Sequence, residues 1–341
     1  MGIVESLAWR TERPIMEPSF RGRCLWWPAV LGFNGIPYEM IASLANYLRL
    51  AKIWLTAMVL VTAAVGYVLA TPGPIDGGRL AIALLGTGLA VVGAATFNQL
   101  LEVDRDAQME RTRGRPLPSG AIAPPHAFLF AMATTTVGLG ILNELVNPLT
   151  AMLGLVNVLL YTLVYTPLKT RTSLNTLVGS ICGALPPVMG WSAATGTVSW
   201  NAVLLGLILY LWQVPHFLSF VWLYREDYQR AGYRMLPVTD ESGRLTCLMI
   251  VLYSLALMPM GLAISFRGIA GYGFAAGSLL MGLGLFLLAL QLRANKSRPN
   301  ARRVFLASIA YLPLLLGLMV ADRPAAQRPS EEQILVQQPV E

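Results

Sequence analysis

Long runs of apolar residues recur along the chain and are separated by short polar or Gly/Pro-rich turns. Each run is about twenty residues long, which is sufficient to cross a bilayer as an α-helix. Apolar residues are continuous within each run, whereas the strands of a membrane β-barrel alternate apolar and polar residues. The pattern predicts nine membrane-spanning helices, at residues 50–70, 80–101, 123–143, 149–167, 174–191, 201–223, 245–265, 272–292 and 303–320.

The composition agrees with an all-α polytopic membrane protein. Hydrophobic residues make up 55% of the 341 residues, charged residues make up 13%, and the mean hydropathy is +0.58. Ordinary soluble domains contain about 25% charged residues. The three cysteines are far apart and indicate neither a disulfide framework nor a metal site. We expect a membrane domain at 48–320, between an irregular or interfacial extension at 1–47 and a polar tail at 321–341.

Lysine and arginine are concentrated in the loops that follow the even-numbered helices. Those loops contain Arg105, Arg111, Arg113, Arg115, Lys169, Arg171, Arg225, Arg230, Arg234, Arg244, Arg293, Lys296, Arg298, Arg302 and Arg303. The loops after the odd-numbered helices contain only Arg79 and Arg267. The positive-inside rule therefore places the even loops and the N-terminus inside, and the C-terminus outside. This distribution also accounts for the net charge of +7 without nucleic acid as a partner.

The segment 98–120, NQLLEVDRDAQMERTRGRPLPSG, is unusually polar for the end of a membrane helix. Asn98, Glu102 and Asp106 are four residues apart, so each lies about 40° around a helix from the one before, and the three share a face. Asp104 falls on a different face. Hard oxygen ligands in such a group suit Mg²⁺ that is held jointly with substrate phosphates.

Three arginines, Arg111, Arg113 and Arg115, follow this acidic face directly. Their guanidinium forks match the oxygens of a phosphate group. The same residues are also compatible with a solvated loop whose arginines only obey the positive-inside rule. The regular acidic face at the mouth of a membrane helix favours a Mg²⁺-diphosphate site over that alternative.

A second charged cluster, YREDY, follows the sixth helix and contains Arg225, Glu226 and Asp227. It lies on the same side of the membrane as the first cluster, so the two can meet at one end of a helical bundle. Lys169 and Arg171 lie on that side too. For these two residues, substrate contact and a purely topological role are equally compatible with the sequence.

His216 is predicted to lie well inside a membrane-spanning helix, whereas the other histidine, His126, lies near the inner start of the third. An ionisable group inside a membrane suggests a functional site by default. A neutral imidazole can ligate haem iron or provide a polar contact in a cavity. A lone histidine in a helix can also be a structural residue, and Pro215 beside it indicates a local break in the helix.

Four sequence blocks carry a resemblance to a known family. The first is N-x-x-x-D-x-x-x-D, matched by Asn98, Glu102 and Asp106 and continued by R-T-R-x-R-P-L-P. The other three are YTPLKTRTSLNT, GALPPVMGW, and WQVPHF with REDYQRAGYRMLPV. From about residue 48 to 320 the chain resembles the UbiA superfamily of intramembrane prenyltransferases. The last three blocks are typical of the branch that farnesylates protohaem.

The resemblance implies a nine-helix bundle around a central cavity, with farnesyl diphosphate held through Mg²⁺ by the two acidic clusters. The implied metal ligands are Asn98, Glu102, Asp106, Glu226 and Asp227, all but Glu226 also being implied as catalytic. The implied substrate contacts are Arg111, Arg115, Lys169, Arg171, Arg225 and His216. The farnesyl cation then adds to a vinyl group of haem b, and water completes haem O. Haem is therefore expected as a substrate and Mg²⁺ as the cofactor.

Both acidic motifs depart from the pattern of that superfamily. Glu102 replaces the middle aspartate of the first motif, which keeps the carboxylate and lengthens its reach. The second motif of the superfamily is D-x-x-x-D, and Tyr224 and Tyr228 stand at its two acidic positions here. Asp227 and Glu226 remain, so the second expected metal site is poorer in acids.

Two other functions are compatible with the sequence. One is a UbiA-type prenyltransferase acting on another aromatic acceptor, and the other is a non-catalytic transporter of haem or an isoprenoid. Transporters commonly place their binding sites at mid-membrane, whereas the charges of this chain lie at the inner ends of its helices. Expected partners are the two substrates, the lipid bilayer and a haem A synthase that receives haem O. A bacterial plasma membrane and a mitochondrial inner membrane fit equally.

The charge bias predicts the topology of the chain. Reporter fusions at Gly120 and at Glu341 should lie on opposite sides of the membrane, because an odd number of helices separates them. A control fusion at Thr197, in the loop after the fifth helix, should report the same side as Glu341. Equal accessibility of Gly120 and Glu341 to an impermeant reagent would contradict the nine-helix topology.

Overall fold

A computed structural model describes residues 38–324 of the protein. Within this range the chain is mostly helical and contains no strand. Nine helices in this range are long and apolar enough to cross a membrane. Each predicted span is found, with its ends displaced by only a few residues. The prediction of an all-α polytopic membrane protein is thus confirmed.

The membrane-spanning helices are α2 Ile53–Ala70, α3 Gly77–Leu101, α5 Pro124–Leu145, α6 Pro148–Leu168, α7 Asn175–Thr195, α8 Trp200–Leu223, α11 Arg244–Phe266, α12 Tyr272–Ala294 and α13 Arg298–Ala321. The shorter helices are α1 Tyr38–Leu50, α4 Val103–Gln108, α9 Arg225–Arg230 and α10 Leu236–Thr239. The extension expected at 1–47 and the tail expected at 321–341 lie largely outside the described residues. Residues 38–47, the described part of the expected extension, form the beginning of helix α1.

The described residues from Asn46 onward belong to one compact unit. Helix α7 packs against α2, α6 and α8, and α13 packs against α8 and α2, so that these helices together with α3 surround a central cavity. Helix α5 packs on the outer side of α3, and α11 and α12 pack beside α8 and α13. The arrangement agrees with the expected bundle around a cavity.

Helix α6 contains a wide turn at Leu160–Tyr165 in which the hydrogen bonds follow the π-helical pattern. Pro167, two residues later, has no N–H and cannot donate within the last helical turn. The Tyr161 carbonyl accepts the Thr166 backbone N–H and also the Thr166 hydroxyl, the latter over 2.8 Å. Tyr161 and Tyr165 both line the cavity. Such π-helical turns occur frequently at functional sites.

The contact between α2 and α7 depends on two glycines. A Cβ on Gly190 would overlap the carbonyl oxygen of Ala63, and a Cβ on Gly66 would overlap that of Pro187. Both obstacles are backbone atoms, which cannot move aside as a flexible side chain does. The two helices therefore lie closer together than side chains would allow, which is a common form of packing in membrane bundles.

We predict that Gly190→Ala destabilises the folded protein by about 3 kcal/mol, because the added methyl group forces α2 and α7 apart. Thermal unfolding in detergent measures the effect. The matched control is Gly284→Ala in α12, where a Cβ would meet nothing within 4 Å. That variant should be as stable as the parent or slightly more stable, since alanine favours a helix over glycine. Equal midpoints for both variants would refute the close contact.

Candidate active site

A group of buried and half-buried polar side chains lies where α3 ends, and we call it the rim cluster: Lys52, Asn98, Glu102, Asp106, Arg115 and Lys169. Helix α3 ends at Leu101, and Glu102 makes a bend before α4 begins. The Asp106 amide still donates to the Glu102 carbonyl over 2.8 Å, so the helical register is kept through the bend. Asn98, Glu102 and Asp106 are each less than 5% exposed, whereas Asp104 is exposed, as the four-residue spacing predicts.

The centre of the rim cluster is an ion pair between Glu102 and Lys169. The Lys169 ammonium donates to both carboxylate oxygens of Glu102, over 2.9 and 3.0 Å. The Asn98 amide donates to the same carboxylate over 2.8 Å and to the Thr166 hydroxyl over 3.1 Å. These contacts join the end of α3 to the end of α6. Lys169 therefore has a direct partner in the site, beyond any topological role.

Asp106 is paired separately with Arg115. The guanidinium Nη1 of Arg115 lies 2.6 Å from the Asp106 carboxylate. The Thr112 hydroxyl donates to the Asp106 backbone carbonyl over 2.9 Å and fixes the turn between the two partners. This pairing brings one arginine of the basic segment into the rim cluster, and its predicted contact with substrate stays a prediction. Arg113 is exposed and lines only a surface pocket beside it.

Lys52 is a residue of the site that the sequence patterns did not reveal. Its ammonium donates to Asn98 Oδ1 over 2.9 Å. Its backbone has φ 47° and ψ 52°, a left-handed conformation that non-glycine residues rarely adopt. Burial, with Arg115 and Lys169 nearby, lowers the pKa of Lys52 to about 7. The one feature of the sequence that could have indicated this role is the position of Lys52, a lone lysine at the start of the first apolar run.

The ionisation of the central pair is set by opposing effects. Burial disfavours the charged form of Glu102, but Lys169, Lys52 and the Asn98 amide outweigh it and hold the pKa of Glu102 below its ordinary value. Burial likewise opposes the charge of Lys169, but Glu102 outweighs it and raises the pKa of Lys169. Both groups are therefore charged near neutral pH, and each stabilises the other.

The second charged cluster does not join the first as the sequence led us to expect. Asp227 lies 3.4 Å from Arg230, one turn along α9, and Glu226 is exposed. The Arg225 guanidinium lies 5.6 Å from the centre of the Trp222 ring, and Arg171 is exposed. Across residues 38–324, no three His, Cys, Asp or Glu side chains lie close enough together to hold a metal ion. Asp227 is thus paired within α9 rather than with the rim cluster.

The first motif nevertheless has donors that fit Mg²⁺. Asn98, Glu102 and Asp106 offer only oxygen ligands to a metal, and hard oxygen ligands are those that Mg²⁺ prefers. Each of these oxygen groups already has a cationic partner, in Lys52, Lys169 and Arg115 respectively. Binding of a metal ion would therefore require at least some of these contacts to rearrange.

A cavity of about 420 Å³ lies beside the rim cluster and is enclosed by α2, α3, α6, α7, α8 and α13. Its lining is mainly apolar, and Tyr161 and Tyr165 form part of it. Tyr165 precedes Thr166, the partner of Asn98, so its ring marks the boundary between the rim cluster and the cavity. A side chain at Gly179 would collide with this ring, which gives that glycine a packing role.

His216 lines the same cavity. Its Nδ1 lies 2.9 Å from Ser308 Oγ, and Ser308 donates its own hydrogen to the Phe305 carbonyl over 2.7 Å. Nδ1 is therefore the protonated nitrogen, and Nε2 keeps a lone pair. The rings of Trp212 and Phe305 stack on the imidazole at 4.8 and 5.1 Å. These contacts fix the orientation of the ring.

We predict that Lys169→Met destabilises the substrate-free protein by about 3–5 kcal/mol, because it leaves Glu102 buried without a partner. The double variant Lys169→Met/Glu102→Gln should recover most of that loss in thermal unfolding.

The stabilisation from this pair also has a defined pH range. It is fully present between the ordinary pKa values of 4.5 and 10.5. It is lost when the pH falls through the lowered pKa of Glu102 or rises through the raised pKa of Lys169. If the loss of stability in the double variant equalled the sum of the losses in Lys169→Met alone and Glu102→Gln alone, the coupling of the pair would be contradicted.

Comparison with known proteins gives the family of this chain. The sequence model of the UbiA prenyltransferase family matches residues 59–309. The protoheme IX farnesyltransferase of Solibacter usitatus is 40% identical over 288 residues, which cover 82% of this chain and 99% of that protein. The mitochondrial protoheme IX farnesyltransferase of Homo sapiens is 44% identical over 294 residues, which cover 86% of this chain and 64% of the human protein.

Solved structures share the fold. A structure of digeranylgeranylglyceryl phosphate synthase matches with a TM-score of 0.70 and 15% identity, over 82% of this chain and 98% of that one. A UbiA homolog from Archaeoglobus fulgidus bound to DMAPP and Mg²⁺ matches with a TM-score of 0.60 and 16% identity, over 80% of this chain and 99% of that one. Because the family model matches residues 59–309 and relatives align over most of its length, the chain belongs to the UbiA prenyltransferase family.

Proposed function

We propose that this chain transfers the farnesyl group of farnesyl diphosphate to a vinyl group of haem b and so forms haem O. The observation that carries the proposal is the rim cluster of cations and oxygen ligands beside a large apolar cavity. An anionic head group attached to an apolar chain fits this arrangement. The relatives named above as protoheme IX farnesyltransferases support haem as the acceptor.

The diphosphate head binds at the rim cluster. Mg²⁺ would be held by Asn98, Glu102 and Asp106, and when bound it neutralises charge on the departing diphosphate. Mg²⁺ dependence is supported by the Archaeoglobus homolog, which binds DMAPP with Mg²⁺. Arg115 and Lys169 lie within the same cluster and supply further positive charge for the leaving group. Stabilising this developing charge is the main contribution that the site makes to ionisation.

The allylic end of the farnesyl chain then lies next to Tyr165, at the boundary between the rim cluster and the cavity. The rings of Tyr161 and Tyr165 are 5.4 Å apart, and the face of Tyr165 already attracts the Lys169 ammonium, at 4.7 Å. Aromatic faces attract cations, so these two rings stabilise the farnesyl cation. The apolar lining keeps water away until the new carbon–carbon bond has formed.

Haem b occupies the part of the cavity next to His216. The fixed ring of His216 presents Nε2, the atom with which a neutral imidazole ligates iron. Leu55 and Ile309 line the cavity and are also 47% and 45% exposed on the surface of the bundle. The cavity therefore opens sideways between α2 and α13. Both substrates enter there from the bilayer, in which their apolar parts are dissolved.

His216 also distinguishes this function from its alternatives. A quinone-type aromatic acceptor needs no iron ligand, and a transporter needs no buried ion pairs of this kind at one end of its cavity. Haem O then passes to a haem A synthase, in a bacterial plasma membrane or a mitochondrial inner membrane. The rim cluster faces the inner side, which follows from the charge bias of the loops.

Purified protein incubated with haem b, farnesyl diphosphate and Mg²⁺ tests the proposal. We expect a pigment whose mass exceeds that of haem b by one farnesyl group and one hydroxyl group, since the addition of water releases a proton. Mesohaem, in which ethyl groups replace both vinyl groups, is the matched control and should give no adduct. Unchanged haem b in the presence of all three components would refute the proposed function.

We predict that His216→Ala changes the absorption spectrum of bound haem and raises the haem concentration needed for half-maximal turnover by at least tenfold. The reason is that the variant removes an iron ligand while the rim cluster stays intact. His126→Ala is the control, because His126 is exposed at the start of α5. An unaltered haem spectrum and affinity in His216→Ala would make this histidine structural.

A further inference from the structure

Arg111 lies against Tyr224 and Tyr228, the two residues that stand at the acidic positions of the family's second motif. The two positions expected to be aspartates are Tyr224 and Tyr228. The Arg111 guanidinium donates to the Tyr228 hydroxyl over 3.3 Å. It also lies 5.3 Å from the centre of the Phe220 ring and 5.7 Å from that of Tyr224. Aromatic side chains and a guanidinium thus replace the carboxylates and their ion.

This guanidinium lies beside the rim cluster. Tyr228 is buried, and burial raises its pKa, while Arg111 and Lys169 act in the opposite direction and Glu102 reinforces the increase. Tyr228 is therefore within electrostatic range of both Arg111 and the central ion pair. Arg111 and Arg115 also line one pocket of about 360 Å³ at the surface. A diphosphate held at the rim cluster would be within reach of both guanidinium groups.

The remaining acids of the second cluster do not restore a metal site. Asp227 is paired with Arg230, and Glu226 is exposed. The side chains of this part of the protein therefore do not fit a second Mg²⁺. Guanidinium is suited to the role that such an ion would play, because its fork binds phosphate oxygens without any other ligand.

The balance of charge agrees with a single ion. The buried carboxylates are Glu102 and Asp106, whereas Lys52, Lys169, Arg115 and Arg111 are basic. A diphosphate ester carries about three negative charges near neutral pH. One Mg²⁺ together with these basic groups is sufficient to neutralise it. A second Mg²⁺ would add two more positive charges to a site whose acids, Glu102 and Asp106, are already paired with Lys169 and Arg115.

We propose that this chain binds its prenyl diphosphate with one Mg²⁺ instead of two, and that the guanidinium of Arg111 takes the place of the second ion. The proposal rests on the proposed function, since it concerns the same diphosphate. It assigns Arg111 a direct contact with the leaving group, and it assigns Phe220, Tyr224 and Tyr228 the role of positioning that contact.

Counting the bound ions tests the proposal directly. Mn²⁺ replaces Mg²⁺, and farnesyl thiolodiphosphate, which resists ionisation, serves as the probe with the full-length protein in detergent. Electron paramagnetic resonance of free Mn²⁺ during a titration gives the number bound. We expect one Mn²⁺ per chain that depends on the probe. Two would overturn the proposal and leave the proposed function intact, and none would overturn both.

Variants give a second measurement that does not depend on turnover. Arg111→Ala should weaken binding of the probe at saturating Mn²⁺ by at least tenfold, without changing the number of ions bound. Tyr228→Phe, which keeps the ring but loses the hydrogen bond to Arg111, should weaken it by a smaller factor. Arg244→Ala removes an exposed arginine from the start of α11 and is the matched control. Equal affinities for Arg111→Ala and Arg244→Ala would overturn the proposal.

Discussion

The structure depends on the neutralisation of two carboxylates that are buried where α3 ends. A buried carboxylate without a partner is strongly unfavourable, so Glu102 and Asp106 require cations from elsewhere in the chain. Lys169 comes from the end of α6, and Arg115 comes from the loop after α4. Lys52 joins from the start of α2 through Asn98. Three membrane helices are thereby held together at one end of the bundle, beside the cavity.

The same pairing prepares the site for its substrate. Without substrate, the basic groups stabilise the fold by neutralising the acids. If a metal ion took the oxygen ligands, the basic groups would be available to contact the proposed diphosphate. The cluster therefore offers groups of both charge signs within a few ångströms of one another. The wide turn in α6 places Tyr161 and Tyr165 directly next to it. The polar groups of the rim cluster and the aromatic rings proposed to stabilise the farnesyl cation are thus direct neighbours.

The sequence predicted what depends on local pattern. Nine helices follow from the length and hydropathy of the apolar runs, and the shared face of Asn98, Glu102 and Asp106 follows from their spacing. Contacts between distant segments were not predictable in this way. Nothing in the pattern links Lys52 to Asn98, which is 46 residues away, or His216 to Ser308, which is 92 residues away. The sequence led us to expect that the two acidic clusters meet. Asp227 instead pairs with Arg230 within α9, which the pattern did not predict either.

Turnover by Asp106→Ala compared with Asp104→Ala tests the central claim most directly. Both variants remove one carboxylate from the short helix α4, but Asp106 is buried against Arg115 and Asp104 is exposed. Haem O formation should fall by a factor of about a hundred or more in Asp106→Ala, as expected when a group that stabilises a leaving group is lost. It should stay near the parental rate in Asp104→Ala. Equal rates in the two variants would contradict the assignment of the rim cluster as the site of diphosphate binding.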